Sequence, residues 1–253
     1  MSLQTRASLA FSALLFAVLL SVLALGSWTY KGKKNIADIL LVIDITQSMN
    51  VVDMHWQDRA VSRLEFTKLA SQQMLLRWPC GSQLALALFT GHRSFVLFRS
   101  VEVCAHHAEL HAALGALDWR SAWVARSEVS KGLYSALKVR ADVGEKTRVV
   151  FVSDGHEAPP LHEKFRPRLP KSLERVGGVI IGVGADHLSR IPKFGPQGES
   201  QGFWRASEVM QVDSYRMGRG NGEALVGVDQ SDLQQRIAAG VEHLSSLKTE
   251  HLQ

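Results

Sequence analysis

The chain has 253 residues, 46% of them hydrophobic, which is enough for one well-cored domain of about 200 residues and an appendage. Its net charge of +5 is a weak signal, because part of it comes from lysines just after the apolar N-terminal segment, and arginine and aromatic residues form no stripe of the kind that single-strand binders use. We therefore expect no nucleic-acid partner.

The appendage lies in the first thirty residues. Residues 7–28 read ASLAFSALLFAVLLSVLALGSW and carry no charge, over about the 20 residues that a helix needs to cross a bilayer. The apolar region of a cleaved signal peptide is shorter, about 7 to 15 residues, although Ala24 and Gly26 would suit a cleavage site. We expect a transmembrane anchor or signal segment at residues 1–30, a basic linker at 31–37 and the folded domain at 38–253.

The two cysteines bear on the compartment. Cys80 precedes one strand-like segment and Cys104 follows another, and the intervening TGHR at 90–93 is typical of a hairpin turn. Pairing the strands around that turn places the two sulfurs opposite each other, within one residue of register. A disulfide suits an oxidising compartment, so we expect a single-pass inner-membrane protein with its domain in the periplasm. Two unrelated buried thiols are the alternative, and the positive-inside rule taken alone mildly favours the cytoplasm.

Apolar periodicity predicts alternating strands and helices after the linker. The predicted elements are a buried strand at 38–45, a loop at 49–62, a helix at 62–78 capped by Ser62, a hairpin at 83–100, helices at 107–117 and 127–141, strands at 147–155 and 177–185, and a C-terminal helix at 230–253. This alternation predicts an α/β fold with a doubly wound, mostly parallel sheet. The hairpin would add an antiparallel edge strand.

An acid ends each of two buried strands. Asp44 follows the β-branched run of the first strand and precedes Thr46 and Ser48, whereas Asp154 ends a later strand and Ser127 opens the helix between them. The carboxyl ends of parallel strands meet at the rim where such sheets bind ligands. Two carboxylates and three hydroxyls are hard oxygen ligands suited to Mg²⁺ or Ca²⁺, and we predict that they bind one such cation, with Mg²⁺ favoured.

Some assignments stay open at this point. Ser121 or Ser130 could take the place of Ser127 at the second loop. An acid at the end of a strand is also commonly a helix cap rather than a metal ligand.

At these positions the sequence resembles the von Willebrand factor A (VWA) domain family. The metal-ion-dependent adhesion site (MIDAS) of that family uses D-x-S-x-S on its first loop, matched here by Asp44, Thr46 and Ser48. Its second-loop threonine matches Ser127 in SEVSKGL, and its third-loop aspartate matches Asp154 in VVFVSDG. The resemblance runs from about residue 36 to the end of the chain. It implies a Rossmann-like fold and a cation that binds a protein partner without catalysis.

Two longer segments resemble bacterial membrane-anchored VWA proteins. They are SMNVVDMHWQDRAVSRLE after the first loop and IGVGADHLSRIPKFGPQGESQGFW after a late strand. Such proteins are similar to those encoded beside MoxR-type AAA+ ATPases, which include the Bat aerotolerance group and the accessory proteins of methanol dehydrogenase. The likeness to the accessory proteins of methanol oxidation implies a role in maturation, assembly or metal loading of an exported enzyme. The implied partners are a protein that donates an Asp or Glu to the metal, other VWA proteins and the ATPase system.

Other interpretations fit the residues less well. A haloacid-type phosphatase would need an acid at position 46, where this chain has Thr46. A metal-dependent hydrolase that uses the same cluster, or a Bat-like envelope or stress scaffold, is the alternative. His106, His107 and His111 on a predicted helix could bind Zn²⁺ together with Cys104, although histidines on a solvated helix face are the commoner arrangement.

Overall fold

The computed structural model describes residues 3–25, 35–124, 126–160, 167–168, 170–171, 173, 176–209 and 242–249. These residues belong to two units, Met1–Asn35 and Ile36–Gln253. The first unit contains helix α1, Leu3–Leu25. In the described part of the chain, no helix combines the length and the apolar character that crossing a membrane requires. The transmembrane anchor therefore stays a prediction.

The second unit alternates strands and helices. Its strands are β1 (Asp38–Asp44), β2 (Met54–Trp56), β3 (Arg59–Val61), β4 (Gln83–Thr90), β5 (Arg93–Glu102), β6 (Arg148–Ser153), β7 (Gly178–Gly182), β8 (Ser189–Arg190), β9 (Pro192–Phe194), β10 (Ser200–Phe203) and β11 (Leu244–Ser245). Its α-helices are α2 (Arg63–Leu75), α3 (His107–Gly115) and α4 (Val129–Val143). Short 3₁₀ helices lie at Gln47–Asn50, Trp119–Ser121 and Ala206–Glu208.

The central sheet has five strands in the order β5-β4-β1-β6-β7. Strand β1 is parallel to β4 and β6, β6 is parallel to β7, and β5 is the antiparallel edge strand beside β4. The predicted mostly parallel sheet with an antiparallel edge strand is confirmed. The chain crosses from β1 to β4 on one side and returns to β6 on the other. The carboxyl ends of β1 and β6 therefore flank the crevice where this type of sheet binds ligands.

Helices cover both faces of this sheet, which is why β1 is a continuous apolar run. Ile43 belongs to a buried cluster with Leu64 of α2 and Leu110 of α3. Val42, its neighbour in sequence, faces the other side and belongs to a second cluster with Leu137 of α4. Strand β1 is thus buried on both faces. Its last residue, Asp44, lies at the rim of the sheet and is still completely buried.

The β4–β5 hairpin brings the cysteines together at the opposite end of the sheet. Thr90 pairs with Arg93 across the turn, where Gly91 has a φ of 65°, a left-handed conformation that glycine adopts without a steric cost. Cys80 and Cys104 form a disulfide with their Cα atoms 5.2 Å apart. The predicted pairing is confirmed, although the hairpin contains two register shifts between its turn and its disulfide end.

Helix α2 begins where the sequence predicts. The hydroxyl of Ser62 accepts a hydrogen bond from the backbone N–H of Glu65 at 3.1 Å, which satisfies one of the free amides at the helix start. The helix ends at Leu75, before the predicted end at Trp78. This cap fixes the first turn of α2, and with it the position of Arg63 below the rim.

Two predictions for the connecting segments are wrong. The predicted loop at 49–62 contains β2 and β3, which pair antiparallel around Gln57. The predicted C-terminal helix is absent at residues 242–248, where β11 pairs with β8, while residues 230–241 and 250–253 lie outside the described residues. Ser245 and Ser246 are buried there, and the tertiary contacts of Ser245 outweigh the helical periodicity of the segment.

Candidate functional site

Asp44 is the last residue of β1 and is completely buried. Its Oδ1 accepts a hydrogen bond from Thr46 N at 2.8 Å, and its Oδ2 accepts one from Ser153 Oγ at 2.7 Å. The hydroxyl oxygens of Thr46 and Ser48 lie 3.4 Å apart, at the start of the 3₁₀ helix Gln47–Asn50. The tight exit from β1 therefore brings the three predicted first-loop oxygens together.

The protonation of Asp44 is unusual. Burial raises the pKa of Asp44 to about 7, and the negative charge of Asp154 acts in the same direction. Hydrogen bonds from Ser153 and Thr46 lower this pKa without outweighing burial. Removing a carboxylate from water disfavours its charged form, and a second carboxylate nearby adds to that cost. A bound cation would favour the ionised form of Asp44.

Asp154 follows β6 and is also completely buried. Its Oδ2 accepts hydrogen bonds from Arg63 Nη1 at 2.5 Å and from Ser245 Oγ at 3.3 Å, and its Oδ1 accepts one from His156 N at 3.0 Å. The backbone of Lys248 donates to the carbonyl of Asp154 at 2.9 Å. Asp154 therefore has fewer free lone pairs for a cation than its position in the motif suggests.

Arg63 lies completely buried between two carboxylates. Its Nε donates to Asp53 Oδ1 at 3.0 Å and its Nη2 to Asp53 Oδ2 at 2.6 Å, while Nη1 binds Asp154. Burial alone would lower the pKa of Arg63, but the hydrogen bonds with Asp53 and the charge of Asp154 outweigh it and raise the pKa. Gly184 lies in the loop between β7 and β8, next to the guanidinium of Arg63. A Cβ at this position would lie 2.8 Å from Arg63 Nε, so the close approach of this loop requires a glycine.

Ser127 lies in the loop before α4 and is buried. Its backbone N–H donates to Ala158 O at 2.9 Å, which holds the second loop against the segment that follows β6. Among the described residues, the Ser127 hydroxyl has no hydrogen-bond partner. Ser127 lines the same cavity as Thr46 and Ser48. A buried hydroxyl without a partner is costly, and Ser127 shares its cavity with Thr46 and Ser48 of the first loop.

The two alternatives to Ser127 occupy different positions. Ser121 is exposed in the 3₁₀ helix Trp119–Ser121. The hydroxyl of Ser130 is buried and also lacks a partner in the described part of the chain, but Ser130 does not line the cavity of Thr46 and Ser48. The geometry thus favours Ser127 as the second-loop residue.

Thr46, Ser48 and Ser127 line a cavity of about 390 Å³. Its lining residues come from the metal loops and from the late segments of the chain: Thr46, Gln47, Ser48, Val124, Arg126, Ser127, His156, Ala158, Ile191, Trp204, Glu208, Val209 and His243. His156 Nε2 and His243 Nε2 lie 2.8 Å apart in this wall. The buried Asp44 and Asp154 do not line the cavity, whose wall contains several apolar side chains together with the polar residues of the metal loops.

Sequence reasoning missed most residues around the two aspartates. Asp53 and Arg63 do occur in the first of the two segments that resemble bacterial VWA proteins, and Ile191 and Trp204 occur in the second. A charged pair inside such a segment was a signal available in the sequence. What the spacing could not show is that Arg63 turns inward to Asp154, because that contact joins residues 91 positions apart.

The disulfide region contains a second group of potential ligands. One ligand atom each of Cys80, Glu102 and Cys104 lies within 4.8 Å of the others, but the disulfide occupies both sulfurs. Glu102 instead accepts hydrogen bonds from the backbone N–H groups of Gly81 and Ala105, both at 2.5 Å. These hydrogen bonds, that of Gly81 foremost, lower the pKa of Glu102. The group therefore joins the two strand ends of the hairpin and is not arranged to bind a metal.

The histidines proposed as zinc ligands do not assemble. The rings of His107 and His111 are stacked with centroids 6.3 Å apart, and His111 O accepts a hydrogen bond from Gln72 Nε2 at 2.9 Å. Within the described ranges, the group around the disulfide is the one set of three His, Cys, Asp or Glu ligand atoms close enough for a shared ion. The zinc alternative therefore has no geometric support in the described residues.

No protein-family model matches the chain, and no curated protein matches its sequence. Among solved structures, an aerotolerance-related membrane protein from Bacteroides fragilis, crystallised with multiple mutations to serine, has a TM-score of 0.53 at 16% identity, covering 86% of this chain and 85% of that chain. An uncharacterized membrane spanning protein from Vibrio fischeri has a TM-score of 0.37 at 18% identity, covering 67% of this chain and 80% of that chain. The pilus adhesin SpaC from Lactobacillus rhamnosus GG has a TM-score of 0.34 at 12% identity, covering 68% of this chain and 22% of that chain.

The first of these scores indicates a common fold. This chain shares the architecture of the aerotolerance-related membrane protein, which is consistent with the predicted VWA-type fold. At 16% identity the likeness concerns the fold, and it leaves the chemistry of the rim to be argued from the residues themselves.

Proposed function

We propose that this protein is a membrane-tethered, non-catalytic domain that binds a divalent cation at the rim and uses it to hold a protein partner. One observation carries the proposal. Thr46, Ser48 and Ser127, which lie on two separate loops, line one cavity next to the buried Asp44, and the buried Ser127 hydroxyl has no hydrogen-bond partner among the described residues. A cation would satisfy that hydroxyl and offset the charge of the buried carboxylates.

The residues present fit a hard divalent cation. The direct ligands would be Asp44, Thr46, Ser48 and Ser127. Asp154 would add negative charge near the cation without binding it directly, because its carboxylate is engaged by Arg63. Two of the five candidate oxygens belong to carboxylates, and one of these, that of Asp154, already accepts a hydrogen bond from Arg63. Mg²⁺ is therefore favoured over Ca²⁺, because Mg²⁺ usually binds through few carboxylates. When bound, the cation would supply an electrophilic centre for an outside oxygen ligand.

A carboxylate is the ligand that such a centre would bind best. Asp154 already accepts a hydrogen bond from Arg63, so Asp44 would be the one charged group in the coordination shell, and its single charge would leave the dication partly unneutralised there. A partner's Asp or Glu would neutralise that charge through a charge-assisted contact that a neutral side chain could not replace. We therefore propose an acidic residue on the partner protein.

Membrane tethering is part of the same proposal. The large apolar side chains at residues 11–23 of α1 are more than half exposed within their unit, as in Phe11 at 65% and Leu20 at 51%. Such a helix would gain by burial in lipid. The disulfide between Cys80 and Cys104 favours a periplasmic domain. The structural neighbour from Bacteroides fragilis is itself a membrane protein.

The cellular role is proposed from the sequence likeness. The two long segments that resemble VWA proteins encoded beside MoxR-type ATPases support a role as an accessory in assembly or metal loading of an exported enzyme, such as methanol dehydrogenase. The likeness of the fold to an aerotolerance-related protein supports an envelope or stress scaffold as the alternative role.

A metal-dependent hydrolase is the second candidate, because the cavity also holds His156 and His243, and an imidazole can serve as a general base. Assays of the Mg²⁺-loaded protein against phosphate and carboxylate esters separate the two. The binding proposal expects no turnover above buffer. Turnover that Asp44→Asn abolishes would favour the hydrolase.

Calorimetric titration of the detergent-solubilised chain with Mg²⁺ and Ca²⁺ tests the metal proposal. We expect one cation per chain, and Asp44→Asn should lower the affinity at least about a hundredfold because it removes a charge from the ligand set. Asp38→Asn is the matched control, since Asp38 lies at the other end of the same strand and should leave affinity unchanged. Equal affinities of Asp44→Asn and the wild type would show that the rim is not the metal site.

A further inference from the structure

The chamber above the metal loops is larger than a carboxylate needs. Its volume of about 390 Å³ compares with roughly 30 Å³ for a water molecule in the liquid. Apolar side chains of Val124, Ala158, Ile191 and Val209 form much of its wall. A site that received only an acidic group would gain nothing from such a wall, so the chamber has room and chemistry for a second, apolar group.

Trp204 also lines this chamber. Its backbone is fixed on both sides, because Trp204 N donates to Ile191 O at 3.0 Å and His243 N donates to Trp204 O at 2.8 Å. Its indole nitrogen is buried and has no hydrogen-bond partner among the described residues. An unmet buried N–H is costly, so a ligand that supplies an acceptor oxygen would be favoured here.

The charges near the chamber suit an acidic ligand in part. Arg126 lines the wall next to Ser127, and its Nη2 contacts His92 Nδ1 at 3.1 Å. Glu128 lies 3.8 Å from Arg126 Nε and offsets some of its charge. Glu208 also lines the chamber, but Lys193 Nζ donates to it at 2.5 Å. The remaining attraction for an acid comes from Arg126 and from the proposed cation.

We propose that the chamber is a specificity pocket that takes an acidic residue of the partner together with the apolar side chain next to it, with Trp204 Nε1 donating to an oxygen of the same segment. The acidic group lies over the hydroxyls of the metal loops, and the apolar side chain packs against Ile191 and Val124. This inference rests on the proposed function for the acidic group. The apolar contact and the hydrogen bond from Trp204 are independent of the cation.

Short blocked peptides test the pocket directly. The probes are acetyl-Leu-Glu-amide, acetyl-Gly-Glu-amide and acetyl-Leu-Gln-amide, titrated by calorimetry into the full chain in Mg²⁺. We expect acetyl-Leu-Glu-amide to bind about tenfold more tightly than acetyl-Gly-Glu-amide, because a leucine side chain leaves water for the apolar wall. The glutamine peptide should bind at least about tenfold more weakly than acetyl-Leu-Glu-amide, since its neutral amide cannot replace the carboxylate.

Trp204→Phe keeps a ring in the wall and removes the N–H. We expect it to weaken acetyl-Leu-Glu-amide about fivefold and to leave the titration with Mg²⁺ alone unchanged. Trp78→Phe is the matched control, because Trp78 packs against the core cluster of α2 and α3 and does not line the chamber. It should bind metal and peptide as the wild type does.

The outcomes separate the pocket from the metal. Equal affinity for the leucine and glycine peptides, no change in Trp204→Phe, or no binding of acetyl-Leu-Glu-amide at millimolar concentration would each overturn the pocket. If the wild type takes up no Mg²⁺ in the peptide-free titration, the proposed function fails instead. The affinities of acetyl-Leu-Glu-amide and acetyl-Gly-Glu-amide are then compared without cation. Tighter binding of the leucine peptide would support the pocket, and equal binding would overturn it.

Discussion

The two ends of the central sheet are held together in different ways. At the amino end of β1, the Cys80–Cys104 disulfide closes the β4–β5 hairpin, and the nearby carboxylate Glu102 is partly exposed. At the carboxyl end, Asp44 and Asp154 are completely buried. A covalent bond needs no compensation from its surroundings, whereas buried charges persist only when partners or a cation neutralise them.

This contrast assigns different tasks to the two ends. The hairpin end contributes stability that is independent of any ligand. The rim contains charges whose arrangement depends on Arg63 and, in our proposal, on a divalent cation. Changes at the rim should therefore affect both folding and binding, whereas changes at the hairpin end should affect folding alone.

The largest effect is expected from Arg63→Met. It removes the guanidinium and leaves Asp53 and Asp154 buried without a cationic partner, so the free energy of unfolding should fall by about 3–5 kcal/mol. Urea denaturation measures the change. Arg59→Met is the control, because Arg59 is 69% exposed and contacts Glu65 at only 3.9 Å, and it should cost less than about 0.5 kcal/mol. A loss below about 1 kcal/mol in Arg63→Met would contradict the role assigned to the buried network.

The paired change Cys80→Ser with Cys104→Ser should have the next largest effect. Opening a loop of about 25 residues should lower the free energy of unfolding by about 3 kcal/mol. Mg²⁺ affinity should stay as in the wild type, because the disulfide lies at the opposite end of the sheet from the metal loops.

Mass spectrometry of protein alkylated directly in isolated membranes provides the companion measurement. We expect Cys80 and Cys104 to resist alkylation until a reductant is added. If both thiols are alkylated without reductant, the Cys80–Cys104 disulfide is absent in the membrane-bound protein, and the main support for a periplasmic domain is lost. A tenfold change in Mg²⁺ affinity in the serine variant would show instead that the two ends are coupled.

Asp44→Asn should stabilise the metal-free protein. The pKa of Asp44 is about 7 in the folded state against 3.8 for the ordinary group, so the folded state holds this proton more tightly. The associated stability is present below about pH 4 and is lost as the pH rises to about 7. In EDTA, the free energy of unfolding of the asparagine variant should match that of the wild type near pH 4 and exceed it by a growing margin as the pH rises to about 7. A constant difference across this range would contradict the assigned pKa.

The smallest expected effect is that of Ser62→Ala at the start of α2. Losing the hydrogen bond to Glu65 N should cost about 1 kcal/mol in the free energy of unfolding. Ser62→Thr retains a capping hydroxyl and should cost less. A loss near that of Arg63→Met would indicate that displacement of the helix, and not the missing guanidinium, explains the larger effect.

Much of the sheet could be predicted because its signals are local. The apolar run of β1 and the turn at 90–93 each report their environment over a few residues, and both lie where predicted. The same local reasoning failed for the segment around Ser245, whose helical periodicity gives way to a strand. Pairing with β8 and the contact with Asp154 decide that segment, and neither is visible in a window of ten residues.

The candidate site divides in the same manner. Asp44, Thr46 and Ser48 follow one another on a single loop, so their proximity follows from the sequence. Ser127 and Asp154 were placed by topology, since adjacent parallel strands bring their exits to one rim, and the structure locates both at that rim. Their role as metal ligands stays a prediction.

By itself, the sequence determined the fold class, the cysteine pair and the residues that meet at the rim, because alternation, apolar runs and strand ends are properties of short segments. Only the tertiary structure decided how the rim is charged and covered. Arg63 joins Asp53, Asp154 and Ser245 across as many as 182 positions, and the wall around Trp204 is formed by segments that lie far apart in the sequence. Burial sets the strength of those charges, and burial is a property of the assembled chain.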